Sequence, residues 1–124
     1  MSVLPVAGPS PRSVAHVTRT VVGRRTVLNV AGEIDVDSVA LVADAVDDAL
    51  ESGTLELWLD FSSTQFMDSS GLHLLIETQA RLNSLSRRLA VVCPCGPVRR
   101  LLELARMAGR LPLYHARAAA HPAP

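Results

Sequence analysis

The sequence predicts a single α/β domain: a mixed, mostly parallel sheet of four to five strands, with an antiparallel strand at the N-terminus and three to four helices. The chain has 124 residues, of which 48% are hydrophobic and 19% are charged, and this composition is typical of one globular domain. Runs rich in Val, Leu and Thr alternate with segments whose apolar residues recur every three or four positions. Such alternation favours a parallel sheet with right-handed crossover helices.

The folded domain is expected to span residues 14–115, with a flexible segment on either side. Residues 1–13 contain three prolines and predict a flexible leader, and residues 116–124 predict a flexible tail. The leader lacks a basic segment followed by a long apolar one, so it is a poor secretion signal. The chain also lacks the roughly eighteen consecutive apolar residues of a membrane span. We therefore expect a soluble, cytoplasmic bacterial protein with no membrane partner.

The first elements are an antiparallel hairpin and a helix. Residues 14–22 and 27–31 are rich in Val and predict two strands, and the short glycine-containing turn between them favours antiparallel pairing. A helix follows, because apolar residues recur at helical spacing with acids between them: Val39, Val42, Ala43, Val46, Ala49 and Leu50. Asp35 or Asp37 can cap the start of this helix by accepting backbone N–H bonds.

The remaining elements continue the alternation of strand and helix. In chain order they are a central parallel strand at 55–61, a loop at 62–70, a second helix at 71–87, a strand at 89–93, a third helix beginning at Pro97, and a short strand at 111–115. The apolar stripe of the second helix is predicted to be Leu72, Leu75, Ile76, Ala80 and Leu82, and that of the third Val98, Leu101, Leu102 and Ala105. Trp58 is expected in the core.

Charge is distributed unevenly although the net charge is zero. All twelve basic residues are arginine, and residues 26–80 contain none of them but hold eleven of the twelve acids. The three stretches 1–25, 26–80 and 81–124 therefore carry net charges of +4, −11 and +7. One interpretation is an acidic middle that repels nucleic acid and favours a positively charged partner. The other is that acids and arginines interleave once the chain is folded.

Several kinds of chemistry find little support in the sequence. There is no Gly-x-Ser-x-Gly elbow and no glycine-rich phosphate loop. Cys93 and Cys95 have no second pair of ligands, so we expect a buried thiol at a strand end and a thiol in a loop rather than a zinc site. His73 follows Ser70 by one helical turn and is expected to be a partly exposed helix residue. We therefore expect no catalytic residue, no metal and no cofactor.

The candidate site lies where the loop after the third strand becomes a helix. Asp68 or Ser69 can cap that helix, and Gly71 has no side chain, so another molecule can approach the backbone closely. A phosphate on Ser70 would lie in the first helical turn, where free N–H groups and the helix dipole favour an anion. The alternative is that this segment is an ordinary cap and turn.

Three segments carry a resemblance to a known family. They are Gly32-Glu33-Ile34-Asp35, Leu59-Asp60-Phe61-Ser62 and Phe66-Met67-Asp68-Ser69-Ser70-Gly71-Leu72. In this order and on these elements they resemble the STAS domain, and above all the bacterial anti-sigma factor antagonists. The resemblance covers about residues 14–115, and the Asp-Ser-Ser-Gly-Leu segment after a strand is its most specific part.

The resemblance implies a regulator of transcription that is not an enzyme and that works by partner switching. In the family, the unphosphorylated domain binds a serine kinase that is also an anti-sigma factor, and a sigma factor is released. Phosphorylation ends the binding, and a serine phosphatase removes the phosphate again. Carried over, the phosphoacceptor is Ser70, and Asp35, Asp68, Ser69 and Gly71 lie at the partner surface. The alternative is a ligand- or partner-binding STAS module of a transporter or sensory complex, without phosphorylation.

Overall fold

The computed structural model describes residues 14–116; the predicted leader and residues 117–124 of the predicted tail lie outside the described residues. The described elements are β1 (His16–Val22), β2 (Arg25–Ile34), α1 (Val39–Glu51), β3 (Glu56–Met67), α2 (Ser69–Ser84), β4 (Arg88–Val92), α3 (Pro97–Leu104) and β5 (Leu113–Tyr114). This order of strands and helices is the predicted one.

The five strands form one sheet in the order β1-β2-β3-β4-β5. β1 pairs with β2 in antiparallel fashion, and every other neighbouring pair is parallel, so the predicted mixed sheet is confirmed. Because consecutive parallel strands are neighbours and such crossovers are right-handed, α1, α2 and α3 all pack on the same face of the sheet. β3 is the central strand. Its carboxyl end, where α2 begins, therefore lies in the middle of the edge formed by the carboxyl ends of the parallel strands.

The helix-covered face holds the larger of two apolar clusters. α1 buries Val42, Val46, Ala49 and Leu50, all of them predicted. The predicted stripe of α2 is confirmed at Leu75 and Leu82, which are buried together with Gly71 and Thr78, and at Leu72, which packs against the core. Ile76 is 39% exposed and Ala80 is exposed, so their predicted burial is wrong. The prediction missed two of the four buried positions of α2 because they are a glycine and a threonine, which a pattern of apolar residues does not include.

The opposite face of the sheet carries a smaller cluster around Trp58, which is 1% exposed. Val27, Ala90 and Val92 surround it, and the guanidinium of Arg25 lies 4.1 Å from the ring centroid, a cation–π distance. The prediction that Trp58 belongs to the core is confirmed.

Arginines from the basic ends of the chain interleave with acids from its middle. Glu56, at the start of β3, pairs with Arg25 and lies 3.9 Å from the Nε of Arg88. Arg81 donates to Asp47 at 2.6 Å on the surface between α2 and α1. These ion pairs neutralise part of the acidic charge at α1 and at the start of β3.

The predicted loop at residues 62–70 is for the most part a strand. β3 continues to Met67 and stays paired with β2, although the pairing shifts register between Asn29 and Ala31 and again between Gly32 and Glu33. The hydroxyl of Thr64 donates to the carbonyl oxygen of Val30 at 2.6 Å, inside the first irregularity. A buried threonine thus satisfies a carbonyl group at a point where the ladder is interrupted.

The second helix also differs from the predicted range of 71–87. α2 begins two residues earlier, at Ser69, and ends at Ser84. Its end has a local cause: Ser86 has a φ of +58°, which is left-handed backbone that a continuing helix does not tolerate. The earlier start places both serines of the candidate site inside the helix.

Candidate functional site

The ends of β2 and β3 lie side by side at one edge of the sheet. Ile34 and Met67 are their last register partners, and the backbone N–H of Asp68 donates to the carbonyl oxygen of Ile34 at 3.1 Å. The loop that leads into α1 and the single residue that joins β3 to α2 therefore start from adjacent positions. Asp35 and Asp68 follow these partners directly, which places two of the predicted site residues at the same edge.

Asp68 caps α2. Its backbone is extended, and its Oδ1 accepts the N–H of Ser70 at 2.8 Å. Its carbonyl oxygen accepts the N–H groups of Gly71 at 3.1 Å and Leu72 at 3.3 Å. The sequence left Asp68 and Ser69 as alternative caps, and the structure selects Asp68, which is half-buried. Its carboxylate is thereby held within the first turn of the helix that carries the serines.

The two serines occupy the first two positions of α2 and differ in exposure. Ser69 is exposed and Ser70 is half-buried. Within residues 14–116 neither side-chain hydroxyl takes part in a hydrogen bond, so modification of either oxygen breaks no internal contact of this region. The helix N-terminus supplies a positive electrostatic potential at this point, whereas the Asp68 carboxylate supplies a negative one. An anion added at this site would therefore be attracted by the helix N-terminus and repelled by the Asp68 carboxylate.

Gly71 is buried and lies against the side chain of Met67. A Cβ built on it would lie 2.7 Å from the Sδ of Met67 and still closer to the Cγ. The missing side chain thus makes room for the last residue of β3, which is a packing role that the sequence did not reveal. Contact between Gly71 and another protein stays a prediction.

Asp35 organises the loop between β2 and α1. Its Oδ1 accepts the backbone N–H groups of Asp37 and Ser38, each at 3.0 Å, and the Ser38 hydroxyl at 3.1 Å. The expectation that Asp35 or Asp37 caps α1 is wrong: the N-cap position is Ser38, without a side-chain cap hydrogen bond, and the N–H groups that Asp35 accepts belong to the turn before the helix. Gly32, at φ +91°, lies at the second register shift of β2, and a side chain there would collide with the backbone of Val14. Asp35 is half-buried, so its carboxylate both fixes the loop and contributes negative charge to the edge.

A mainly apolar groove that no sequence pattern indicated reaches Met67, the residue before Asp68, and its lining also includes Arg99, Arg100 and Glu103. It lies between the end of β3 and α3, has a volume of about 680 Å³, and is lined in part by Phe66, Met67, Leu101 and Leu104. Phe66 is 41% exposed and Leu104 is 77% exposed. The signal that could have revealed it is the two-residue period of a strand: if Met67 points inward, Phe66 points outward.

Cys93, Cys95 and His73 are the other candidate residues, and Cys95 lines the same groove. Burial raises the pKa of the Cys93 thiol to about 11, although Arg99 acts in the opposite direction. Cys95 is exposed, so both expectations for the cysteines are confirmed. His73 is exposed on α2. Within residues 14–116, no group of three or more His, Cys, Asp and Glu side chains is arranged to hold a metal ion, and no helix has the length and apolar character to cross a membrane.

Comparison with known proteins connects this architecture to one family. The family model described as "Mlab, STAS domain" matches residues 17–114. The anti-sigma F factor antagonist of Paenibacillus polymyxa is 29% identical over 89 residues, which cover 71% of this chain and 76% of that protein.

Solved structures show the same fold. An anti-sigma factor antagonist from Mycobacterium paratuberculosis superposes with a TM-score of 0.78 at 22% identity, covering 94% of this chain and all of that one. The phosphorylated form of the Bacillus cell fate determinant SpoIIAA gives a TM-score of 0.65 at 20% identity, covering 85% of this chain and 96% of that one. Since the family model spans well over half of the chain, and sheet order and helix placement agree with these structures, the chain belongs to the STAS domain family, among relatives that are anti-sigma factor antagonists.

Proposed function

We propose that this protein is an anti-sigma factor antagonist that switches partners through Ser70. The unphosphorylated form binds a serine kinase that is also an anti-sigma factor, and the sigma factor is released. Phosphorylation of Ser70 ends the binding, and a serine phosphatase restores it. The observation that carries the proposal is the position of the Ser70 hydroxyl: it lies in the first turn of α2, hydrogen-bonded to nothing within residues 14–116, beside the Asp68 carboxylate.

The negative charge of the edge favours a basic partner, and the bulk of an added phosphate supplies the switch. A phosphate adds about −1.5 to −2 charges at neutral pH, and it would be attached two residues from Asp68, whose Oδ1 already accepts the N–H of Ser70. Asp35 follows the end of the neighbouring strand, and Asp37 is exposed in the same loop. A partner that docks on this edge with basic groups would be attracted before modification. The bulk of the phosphate would then obstruct close contact and force the Asp68 region to rearrange.

The groove between the end of β3 and α3 extends the same surface. Phe66 immediately precedes the buried Met67, and the exposed Leu104 lies across the groove. A partner that covers Ser69 and Ser70 would therefore meet apolar side chains on one flank and carboxylates on the other. Apolar groups contribute most of the affinity of such interfaces, and charges contribute specificity and association rate. The relatives named as antagonists of anti-sigma factors make a protein of that class the expected partner.

The proposal is tested by recovering the tagged protein from its native cell, mapping phosphate by mass spectrometry and identifying the associated proteins. Wild type should carry phosphate on Ser70 in part of the population. Ser70→Ala should carry none and retain the kinase, and Ser70→Asp should retain much less of it. Ser69→Ala should still be phosphorylated on Ser70. Ser84→Asp, which adds the same charge at the far end of α2, should bind like wild type.

Two results would contradict the proposal. One is phosphate on Ser69 with Ser70 unmodified, because it moves the switch to the more exposed serine. The other is equal recovery of the kinase with Ser70→Asp and Ser84→Asp, because a charge at the proposed acceptor then has no effect on binding.

A further inference from the structure

The outward side of α3 combines apolar and charged side chains. Helical spacing places four exposed residues on this side, which we call the α3 face: Pro97, Arg100, Glu103 and Leu104. Leu104 is 77% exposed, more than any other large hydrophobic residue of the described chain. It stands at the rim of the groove between the end of β3 and α3. The α3 face therefore carries an apolar projection directly beside an apolar hollow.

The groove can receive an apolar side chain of this kind. Its volume is about 680 Å³. Its lining includes Phe66, which is 41% exposed, the buried Met67 and the half-buried Leu101. An apolar side chain that enters the groove is removed from water together with this lining, which is favourable. The projection and the hollow are thus complementary to each other, but they lie on the same surface of one molecule and need a second molecule to meet.

The charges of the α3 face are also complementary to each other. Arg99, beside the face, donates its Nε–H to the carbonyl oxygen of Cys93 at 2.7 Å. Arg100 and Glu103, in contrast, form no ion pair and no side-chain hydrogen bond within residues 14–116. A two-fold axis between two antiparallel copies of α3 places Arg100 of each copy opposite Glu103 of the other. Such an isologous contact forms every pair twice.

We propose that the protein forms a homodimer through the α3 face, in which Leu104 of each copy enters the groove of the other. A second copy is the occupant that fits, because this surface supplies both members of each contact: projection and hollow, cation and anion. α3 has eight residues and is about 12 Å long, so the contact is smaller than the roughly 800 Å² per partner of a stable interface. The dimer is therefore transient and forms as the protein concentration rises.

Dimer formation has a consequence for the Ser70 site, and this consequence alone rests on the proposed function. The groove reaches Met67, which precedes the capping Asp68. The partner proposed for the unphosphorylated form covers the same groove. Self-association and partner binding therefore exclude one another, so that a high concentration of the free protein withholds part of it from the partner.

Sedimentation equilibrium of the full chain over a wide range of concentrations tests the proposal. Wild type should change from monomer to dimer as the concentration rises. Leu104→Glu should raise the dissociation constant about tenfold or more, because it brings a carboxylate into an apolar groove. Leu41→Glu makes the same change at a 45% exposed leucine of α1 and should dimerise like wild type. A wild type that remains monomeric throughout, or an equal loss in both variants, would overturn the proposal.

Exchanged charges test the two-fold arrangement. Arg100→Glu and Glu103→Arg should each weaken the dimer, because each places like charges opposite one another. An equimolar mixture of these two variants should associate like wild type, since each copy then supplies the charge that the other lacks. If the mixture associates no better than either variant alone, the proposed pairing is wrong. Ser70→Ala should dimerise like wild type, so failure of the phosphorylation switch and failure of the dimer are distinguishable.

Discussion

Gly71 lies so close to Met67 that a methyl group added to the glycine would stand 2.7 Å from the Met67 Sδ. Met67 ends β3, and Gly71 lies in the first turn of α2. Both are buried. Their contact therefore sets the distance between the central strand and the helix that carries Ser70, and it gives the glycine of the Asp-Ser-Ser-Gly segment a packing function independent of any partner.

Replacing Gly71 with alanine should lower the free energy of unfolding. Overpacking of a buried site costs about 1–3 kcal/mol, whereas the better helix propensity of alanine returns at most about 1 kcal/mol. We expect a net loss of about 1–2 kcal/mol by urea denaturation. Gly109→Ala is the control, because a Cβ at Gly109 meets no atom within 4 Å, and its effect should stay within about 0.5 kcal/mol.

The same contact predicts coupling between the two residues. In a Met67→Ala background the obstructing side chain is gone, so Gly71→Ala should cost less than it does in the wild type. If the cost of Gly71→Ala is unchanged by Met67→Ala, the contact with Met67 is not its cause.

Asp68 should contribute to stability as a cap and to partner binding as a charge, and two substitutions separate these effects. Asp68→Ala removes the acceptor of the Ser70 N–H and should cost about 1 kcal/mol of unfolding free energy. Asp68→Asn retains a side-chain oxygen of nearly equal capping strength and should stay close to wild type in stability while weakening the partner complex. Equal destabilisation by alanine and asparagine would contradict the capping role.

The order of strands and helices was predictable because it depends on local patterns. The α1 stripe of Val42, Val46 and Ala49 follows the helical period closely, and all three are buried. The parallel placement of β3 followed from its apolar run. Asp35 and Asp68 were named by the family resemblance rather than by a local pattern, and the register of β2 and β3 places them at the same edge of the sheet.

The missed features depend on pairing across the sheet, which no local pattern records. Ser62 and Thr64 are polar and suggested a loop, yet their backbone remains in β3 because β2 stays alongside despite its register shifts. The partner of Arg25 is Glu56, 31 positions away, so the sequence could not show which acids are neutralised. The packing role of Gly71 likewise became apparent only once Met67 was placed.

Thr64 should stabilise the irregular stretch of β2 through its hydroxyl. Thr64→Val keeps the shape but leaves the Val30 carbonyl oxygen without the donor that lies 2.6 Å away, and an unmet buried acceptor costs about 1–3 kcal/mol. Thr64→Ser keeps the donor and removes one methyl group, so it should cost less, about 0.8 kcal/mol. Thermal and urea unfolding should rank the proteins as wild type, serine, valine. A valine variant as stable as the wild type would show that the hydrogen bond contributes little.

Cys93 should make the fold sensitive to alkaline pH. Burial raises the pKa of its thiol from 9.0 to about 11 in the folded protein, so the folded state keeps a proton that the unfolded chain releases. The resulting stability is fully present below pH 9.0 and is lost as the pH rises to about 11, a loss of about 2 kcal/mol. Urea unfolding of wild type and Cys93→Ala at several pH values between these limits measures it.

The comparison of slopes isolates Cys93 from other groups that titrate in the same range. Cys93→Ala is expected to be less stable at every pH because it leaves a small cavity, but its stability should fall less steeply with pH than that of the wild type. If the free energy of unfolding falls with pH equally steeply in wild type and Cys93→Ala, the pKa of the Cys93 thiol is not raised by folding.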